Sequence, residues 1–265
     1  PYAVANEFIN RSNRHGMTGN VQATYNFNKE LSLMVRTAPD LSYEQRAQER
    51  PYDAGSRFQK GSYRTQSIFS QEVNTDFLLR YIKKVNTDFD FSVSLGGSTL
   101  NNRYNRDEVR ADSLVNPGFY AMSNALGTLE TIPWKSRYRI NSFYGLITTA
   151  FKEFLFLDLT ARQDWNSVLA TPVRTENAGF FYPSANVSFI LSEVVKMPSA
   201  ISFAKLRFSA SSVGSGGTIP YLTAYNYATA GSFFSGGLQN PTTLANPDLK
   251  PLRTITYEAG MNLRM

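Results

Sequence analysis

The sequence predicts an all-β protein: an antiparallel transmembrane β-barrel, of which these 265 residues supply a part of about nine strands. Three observations predict it. Segments of about ten residues alternate apolar with polar side chains, which gives a strand one face for hydrocarbon and one for water. The segments are joined by connections that are in turn very short and very long. Finally, no run of 18 apolar residues exists and the mean hydropathy is −0.31, which leaves no transmembrane helix. A spanning strand needs only every second residue to be apolar, so low hydropathy does not argue against a barrel.

The first expected strand, 17–28, sets Val21, Ala23, Tyr25 and Phe27 against Asn20, Gln22, Thr24 and Asn26. The second covers 31–43. The third, 63–82, sets Val73, Phe77, Leu79 and Tyr81 against Glu72, Asn74, Asp76 and Arg80, and the fourth, 86–104, sets Phe89, Phe91, Val93 and Leu95 against Asp88, Asp90, Ser92 and Ser94. In the fifth, 137–151, the pattern is weakest: Tyr144 and Leu146 share one face, and Phe143 and Ile147 take the other. The sixth, 154–166, opposes Leu155, Leu157, Leu159 and Ala161 to Asp158, Thr160, Arg162 and Asp164. The seventh, 180–191, opposes Phe181, Ala185, Val187, Phe189 and Leu191 to Ser184, Asn186 and Ser188. Leu206, Phe208 and Ala210 oppose Lys205, Arg207, Ser209 and Ser211 in the eighth, 203–213. The ninth, 252–265, is the clearest, with Ile255, Tyr257, Ala259, Met261, Leu263 and Met265 interleaving with polar residues.

The connections Asn28-Lys29-Glu30, Lys83 to Val85 and Lys152-Glu153 are tight hairpins, and Ser192 to Ser202 also returns quickly. Between these pairs lie long loops at 44–62, 105–136, 167–179 and 214–251. Loops of that length are uncommon in compact soluble domains, whereas outer-membrane barrels combine short periplasmic turns with long outer loops. Aromatic residues make up 14% of the chain, with 15 Tyr and 19 Phe, enough for girdles at both membrane interfaces.

Composition also removes several chemistries. There is no cysteine, so disulfides, thiolate metal sites and thiol catalysis are out of reach. His15 is the one histidine, and no nucleophile and base arrangement or metal site is visible around it. Asp107, Glu108 and Asp112 lack the spacing and glycine of a calcium loop, and Gly214-Ser215-Gly216-Gly217 lacks the lysine of a phosphate-binding loop. The formal charge of +6 comes from dispersed basic residues rather than a patch, which points away from nucleic acid. No catalytic residue, metal or cofactor is expected.

Several segments in order resemble the barrel of SusC/RagA-type TonB-dependent transporters. They are Arg14-His15-Gly16-Met17-Thr18-Gly19-Asn20-Val21, Leu31 to Thr37, Phe180-Phe181-Tyr182-Pro183-Ser184, Leu191-Ser192-Glu193, Lys205-Leu206-Arg207-Phe208-Ser209-Ala210-Ser211 and Asn246-Pro247-Asp248-Leu249-Lys250. The family motif residues are Tyr182, Pro183, Ser184, Leu206, Arg207, Asn246, Pro247, Leu249 and Lys250. One departure is that Pro251-Leu252 stands where the family often carries a Trp-Glu pair. The resemblance implies location in the bacterial outer membrane, among its lipids, and TonB-dependent import of glycan or peptide nutrients in bacteria of the Bacteroidetes type. It also implies a SusD-like surface lipoprotein as partner. Residues 1–265 would then be a barrel segment, with no signal peptide, plug or TonB-contacting segment in this stretch.

On this reading Asp88, Asp90, Lys205 and Arg207 are expected to face the lumen. Loop 44–62, with Arg46, Arg50, Tyr52, Arg57, Phe58 and Lys60, and loop 214–251 supply the expected ligand contacts Tyr52, Phe58, Tyr221, Tyr225 and Phe233. Two other readings fit the same residues: a passive porin or adhesion barrel without TonB coupling, and a soluble β-sandwich binding module.

Overall fold

The computed structural model describes residues 7–53, 58–229 and 237–265. Among the described residues there are thirteen strands: β1 (Ile9–Thr18), β2 (Val21–Asn26), β3 (Leu31–Tyr52), β4 (Lys60–Lys84), β5 (Phe89–Ala111), β6 (Glu130–Thr131), β7 (Trp134–Phe151), β8 (Leu155–Asn166), β9 (Gly179–Ile190), β10 (Phe203–Ser215), β11 (Ala228–Thr229), β12 (Leu238–Gln239) and β13 (Leu252–Arg264). Eleven belong to one sheet in the order β1-β3-β4-β5-β7-β8-β9-β10-β13, with β2 also paired to β3 and β6 to β5; β11 and β12 form a separate pair. The nine positions along that order are the nine strands expected from the alternation. β1 and β2 share the first position, because both pair with β3 on either side of Gly19-Asn20.

The strands are longer than the sequence pattern implies, and the first two long loops are correspondingly shorter. β1 starts at Ile9, β3 runs to Tyr52 and β5 to Ala111, so most of the expected loop 44–62 is strand and the connection contracts to 53–59. The expected loop 105–136 contracts to 112–133 and includes β6. The physical reason is that the added stretches are polar on both faces. Arg11 and Asn13 pair with Ala47 and Gln45 on one face, and Asn10, Ser12 and Arg14 pair with Gln48, Arg46 and Glu44 on the other. About ten residues suffice to cross the hydrocarbon layer, so a strand of 25 residues such as β4 has ample length outside it, where no apolar face is required.

Contacts divide the chain into two compact units, and β3, β4, β5 and β7 run through both. One unit comprises 1–20, 38–73 and 101–137; the other comprises 21–37, 74–100 and 138–265. In the first, Leu114 is fully buried and the hydroxyl of Tyr52 donates to its carbonyl at 2.6 Å, which ties the 112–133 connection down. In the second, Val168 and Leu169 are buried where the 167–178 and 216–251 connections meet: Asn166 Nδ2 donates to the Gly217 carbonyl at 3.0 Å and Thr223 Oγ1 to the Ala170 carbonyl at 2.6 Å.

The tight turns have local causes. Asn28 Oδ1 accepts the backbone N–H groups of Glu30 and Leu31, both at 2.8 Å, and Asn86 Oδ1 accepts that of Asp88 at 2.9 Å. In the three-residue β7–β8 connection Lys152 and Glu153 sit at φ 48° and 56°, a left-handed pair that suits the twist of the strands, and the Phe154 N–H closes the turn on the Phe151 carbonyl at 3.2 Å.

Burial is inverted relative to a water-soluble fold. Among the described residues, the buried set includes Glu49, Gln66, Asp76, Glu108, Asp164 and Asn166, while Met17, Val21, Tyr25, Val35, Phe77, Leu95, Phe143, Phe181, Phe208 and Met261 are exposed. A β-sandwich would cover those apolar side chains with a second layer; here they need hydrocarbon.

Candidate functional site

The register divides the second unit's sheet into two chemically distinct faces. Thr149, Leu157 and Val187 align across β7, β8 and β9, as do Ile147, Leu159 and Ala185. Val187 continues to Phe208 and Ala259, and Phe189 to Leu206 and Met261. That is the apolar face. The same pairings put Tyr144 beside Arg162 and Tyr182, and Leu146 beside Thr160 and Ser184, on the polar face. The mixed pattern of the fifth expected strand thus resolves: Phe143 and Ile147 join the apolar face, and Tyr144 and Leu146 the polar one.

A hydrogen-bonded network covers the polar face of this unit. Arg36 grips Asp76 through two bonds, Nε to Oδ1 at 3.0 Å and a terminal nitrogen to Oδ2 at 3.2 Å. Asp164 accepts from Arg162 Nε at 2.7 Å and from the Tyr182 hydroxyl at 2.5 Å, while Arg162 also donates to Ser142 Oγ at 3.0 Å. The Arg162 guanidinium lies 5.7 Å from the centre of the Tyr144 ring. Thr160 and Ser184 share a hydrogen bond, and Asn186 donates to Asp158 at 3.2 Å. Alternating charges two residues apart on one strand, as in Arg162-x-Asp164, were the available signal for this network, and apolar periodicity alone passes over it.

The first unit carries a second network. Arg46 forms two hydrogen bonds to Glu44, at 2.6 and 2.9 Å, and Ser12 donates to the same carboxylate at 2.6 Å. These bonds, that of Arg46 first, hold the Glu44 carboxyl down at about 2. Arg64 and Arg106 share Glu108 at 3.6 and 3.7 Å, and Gln66 donates to it at 2.6 Å. Arg110 pairs with both Asp112 and Glu130, which anchors β6 to β5.

The individually expected residues fall in different places. Tyr182 and Ser184 lie on the polar face, bonded as described; Pro183 pairs with Ala161 and Leu206 with Phe189 on the apolar face. Arg207 pairs with Ser188 and donates to Asn262 at 3.3 Å, and Lys205 reaches over the Phe156 ring at 5.7 Å, both on the polar face. Asp90 is in β5 on the same side as Ser94 and Gly96. Asp88 lies outside the strand expected to begin at 86: it sits in the turn before β5, 3.7 Å from Lys152 Nζ, and Asn86 Oδ1 captures its N–H there.

In the 216–251 connection, Asn246 Oδ1 accepts the N–H of Asp248 at 3.0 Å. This turn aims Asp248 at Arg174, which donates to its carboxylate at 2.8 Å and to the Pro247 carbonyl at 3.2 Å. Leu249 N–H donates to the Asn246 carbonyl at 3.3 Å, and exposed Lys250 borders a cavity of about 340 Å³ together with Phe180, Tyr182 and Arg253. The Asn-Pro-Asp-Leu-Lys stretch therefore joins two connections.

Of the expected ligand contacts, Tyr52 is a correction to its loop placement: it lies at the end of β3 with its hydroxyl engaged by the Leu114 and Val115 carbonyls. Phe58 lies beneath the Arg50 guanidinium at 4.3 Å. Tyr221 and Tyr225 are exposed, at 47% and 67%. Phe233 and Arg57 lie outside the described residues. Among the described residues no cluster of three or more His, Asp or Glu is placed to hold a metal ion.

The family model for the TonB dependent receptor-like β-barrel matches residues 3–264. A TonB-dependent receptor of Formosa agariphila is 31% identical over 133 residues, which cover 49% of this chain and 13% of that protein. A solved structure of the RagAB peptide transporter superposes with a TM-score of 0.84 at 15% identity, covering 98% of this chain and 29% of that one. The RagAB peptide importer in its closed-closed state gives 0.79 at 17% identity, covering 98% and 29%, and in its open-open state 0.78 at 16%, covering 98% and 28%. The chain therefore spans under a third of the length of each of these proteins, and the likeness to the RagAB structures is one of fold.

Proposed function

This chain belongs to the TonB dependent receptor-like β-barrel family, a family of outer-membrane transporters rather than enzymes, and from that premise we propose that it forms part of the wall of an energised nutrient importer. The observation that carries the reading is the contrast between the two faces. One presents Leu157, Val187 and Phe208 in register; the other carries the Arg36–Asp76 and Arg162–Asp164–Tyr182 network. Hydrocarbon on the first side and a watery passage on the second satisfy both.

On this proposal residues 1–265 are a barrel segment, and the plug and the TonB-contacting segment belong to other parts of the same protein. A SusD-like surface lipoprotein caps the outer opening, and the cargo is an oligomeric nutrient, a glycan or a peptide. The RagAB likeness supports the lipoprotein and the peptide alternative. Outer connections tied to one another through Arg174 and Asp248 suit a surface against which a lid closes.

The test is uptake of fluorescent oligosaccharide and peptide mixtures by cells carrying the intact gene, with and without TonB, together with the identity of what co-purifies with the protein from outer membranes. Loss of uptake without TonB and recovery of a surface lipoprotein support the proposal. Uptake that persists without TonB identifies a passive pore.

A further inference from the structure

We propose that the basin on the polar face of β1, β3 and β4 binds an acidic oligosaccharide, holding a sugar carboxylate between Arg46 and Arg64. The basin has a volume of about 390 Å³ and is bordered by Asn10, Ser12, Arg46, Gln48, Arg64 and Gln66, with Glu44, held by Arg46 and Ser12, also in its wall. That is within the range of small-ligand sites, about 300–1,000 Å³. The register places Asn10 opposite Gln48 and Ser12 opposite Arg46, so these side chains rise from one face.

What the basin shows to solvent is guanidinium. Arg46 and Arg64 leave 51% and 31% of their side chains exposed, whereas their carboxylate partners Glu44 and Glu108 keep only 13% and 5%. The acids lie beneath the bases. Charge is also unbalanced: Glu108 alone serves Arg64 and Arg106, and Arg14 adds a fourth cation two residues from Ser12. An incoming anion therefore meets an exposed positive surface already fixed by the half-buried Glu44 and the buried Glu108. The planar fork of a guanidinium matches a carboxylate in two parallel hydrogen bonds.

The remaining border favours sugar over peptide. Gln48 donates to Asn10 at 2.7 Å, and the amides and the Ser12 hydroxyl offer donors and acceptors together, as ring hydroxyls require. Ala47, the one apolar residue bordering the basin, pairs with Arg11 and so turns its side chain to the opposite face, which leaves no seat for the apolar side chains of a peptide.

This deepens the import reading, since it names the cargo. Its test is binding to the purified full-length protein in detergent, so a failure here is distinct from a failure of TonB dependence in cells. Calorimetry would compare tetragalacturonate, its methyl ester and a tetraglutamate peptide. Tetragalacturonate is expected to bind, more weakly as salt rises, and the ester about tenfold more weakly. Arg46→Gln with Arg64→Gln should also cost about tenfold with the heat-modifiable electrophoretic band retained, and Arg46→Lys with Arg64→Lys, which keeps the charges without the forks, should fall between. Absence of tetragalacturonate binding, equal affinity for the ester, tighter binding of tetraglutamate, or undiminished binding by the Lys variant would each overturn the proposal.

Discussion

Tyr144 lies across Gly96: a Cβ built on Gly96 would stand 2.5 Å from Cε2 and Cζ of the Tyr144 ring. The glycine supplies a bare stretch of backbone on which an aromatic side chain from the neighbouring strand rests, and that ring in turn faces the Arg162 guanidinium. Gly96→Ala should therefore cost about 1–3 kcal/mol by forcing the ring away. In a Tyr144→Ala background the same substitution should cost almost nothing. A double-mutant cycle on the temperature at which the folded band is lost in electrophoresis measures the coupling, and additive effects would show that the contact carries none.

Leu157 stands between Thr149 and Val187 on the apolar face. A lipid-facing cation there costs about 2–4 kcal/mol near the bilayer midplane. Leu157→Arg should abolish heat-resistant migration of the full-length protein, whereas Asp158→Asn, one residue along and on the opposite face, should leave it intact. Normal migration of the Arg variant would reverse the assignment of faces.

Asp164 is nearly buried and accepts from both Arg162 and Tyr182. Asp164→Leu leaves two donors without their acceptor, at a cost of about 1–3 kcal/mol, softened because Arg162 keeps 40% of its side chain exposed. Tyr182→Phe removes one neutral donor and should cost about 1 kcal/mol. The order of the two variants in chemical denaturation is the readout; a larger loss for Tyr182→Phe would mean that the tyrosine hydroxyl, and not the acid, organises this face.

The strand order was legible because hydrocarbon forces every second residue to be apolar, as in Leu155, Leu157 and Leu159 against Phe189, Val187 and Ala185. The extensions of β1, β3 and β5 were not, because Arg11, Asn13, Gln45 and Glu49 face no lipid and leave no periodic trace. The networks were half legible: Arg162 and Asp164 were assigned to the wet side, but their partnership with Tyr182 depends on a register that single strands do not encode. The basic and aromatic residues around Tyr52 carry no sign that its hydroxyl, at the end of β3, holds the Leu114 carbonyl. Charge composition likewise hid the arrangement of arginine over acid at Glu44 and Glu108, since only pairing across strands shows which member of each pair is covered.

The Arg174–Asp248 pair is exposed at both ends, so its contribution to global stability should be below about 1 kcal/mol. Its effect is local, since it ties the 167–178 connection to the turn at Asn246. Arg174→Ala should leave the unfolding temperature within a degree or two of the unaltered protein yet speed limited proteolysis in 216–251 on intact cells. Unchanged cleavage would assign the tie to the Asn166 and Thr223 bonds instead.

Glu44 gives a pH signature that differs from that of an ordinary surface acid. Its carboxyl is held at about 2, against an unperturbed 4.5, by hydrogen bonds from Arg46 and then Ser12. A depressed folded-state value stabilises the protein above the unfolded value and loses that contribution as pH falls through the folded one. The stability difference between the unaltered protein and Glu44→Gln should thus be flat from pH 8 to about 5, and should shrink only between about 4.5 and 2. An ordinary carboxylate would show no such window, since its protonation would cost the folded and unfolded states equally. Unfolding midpoints of both proteins across that range decide the matter, and a difference already shrinking at pH 6 would mean that Arg46 is not the group holding the acid ionised.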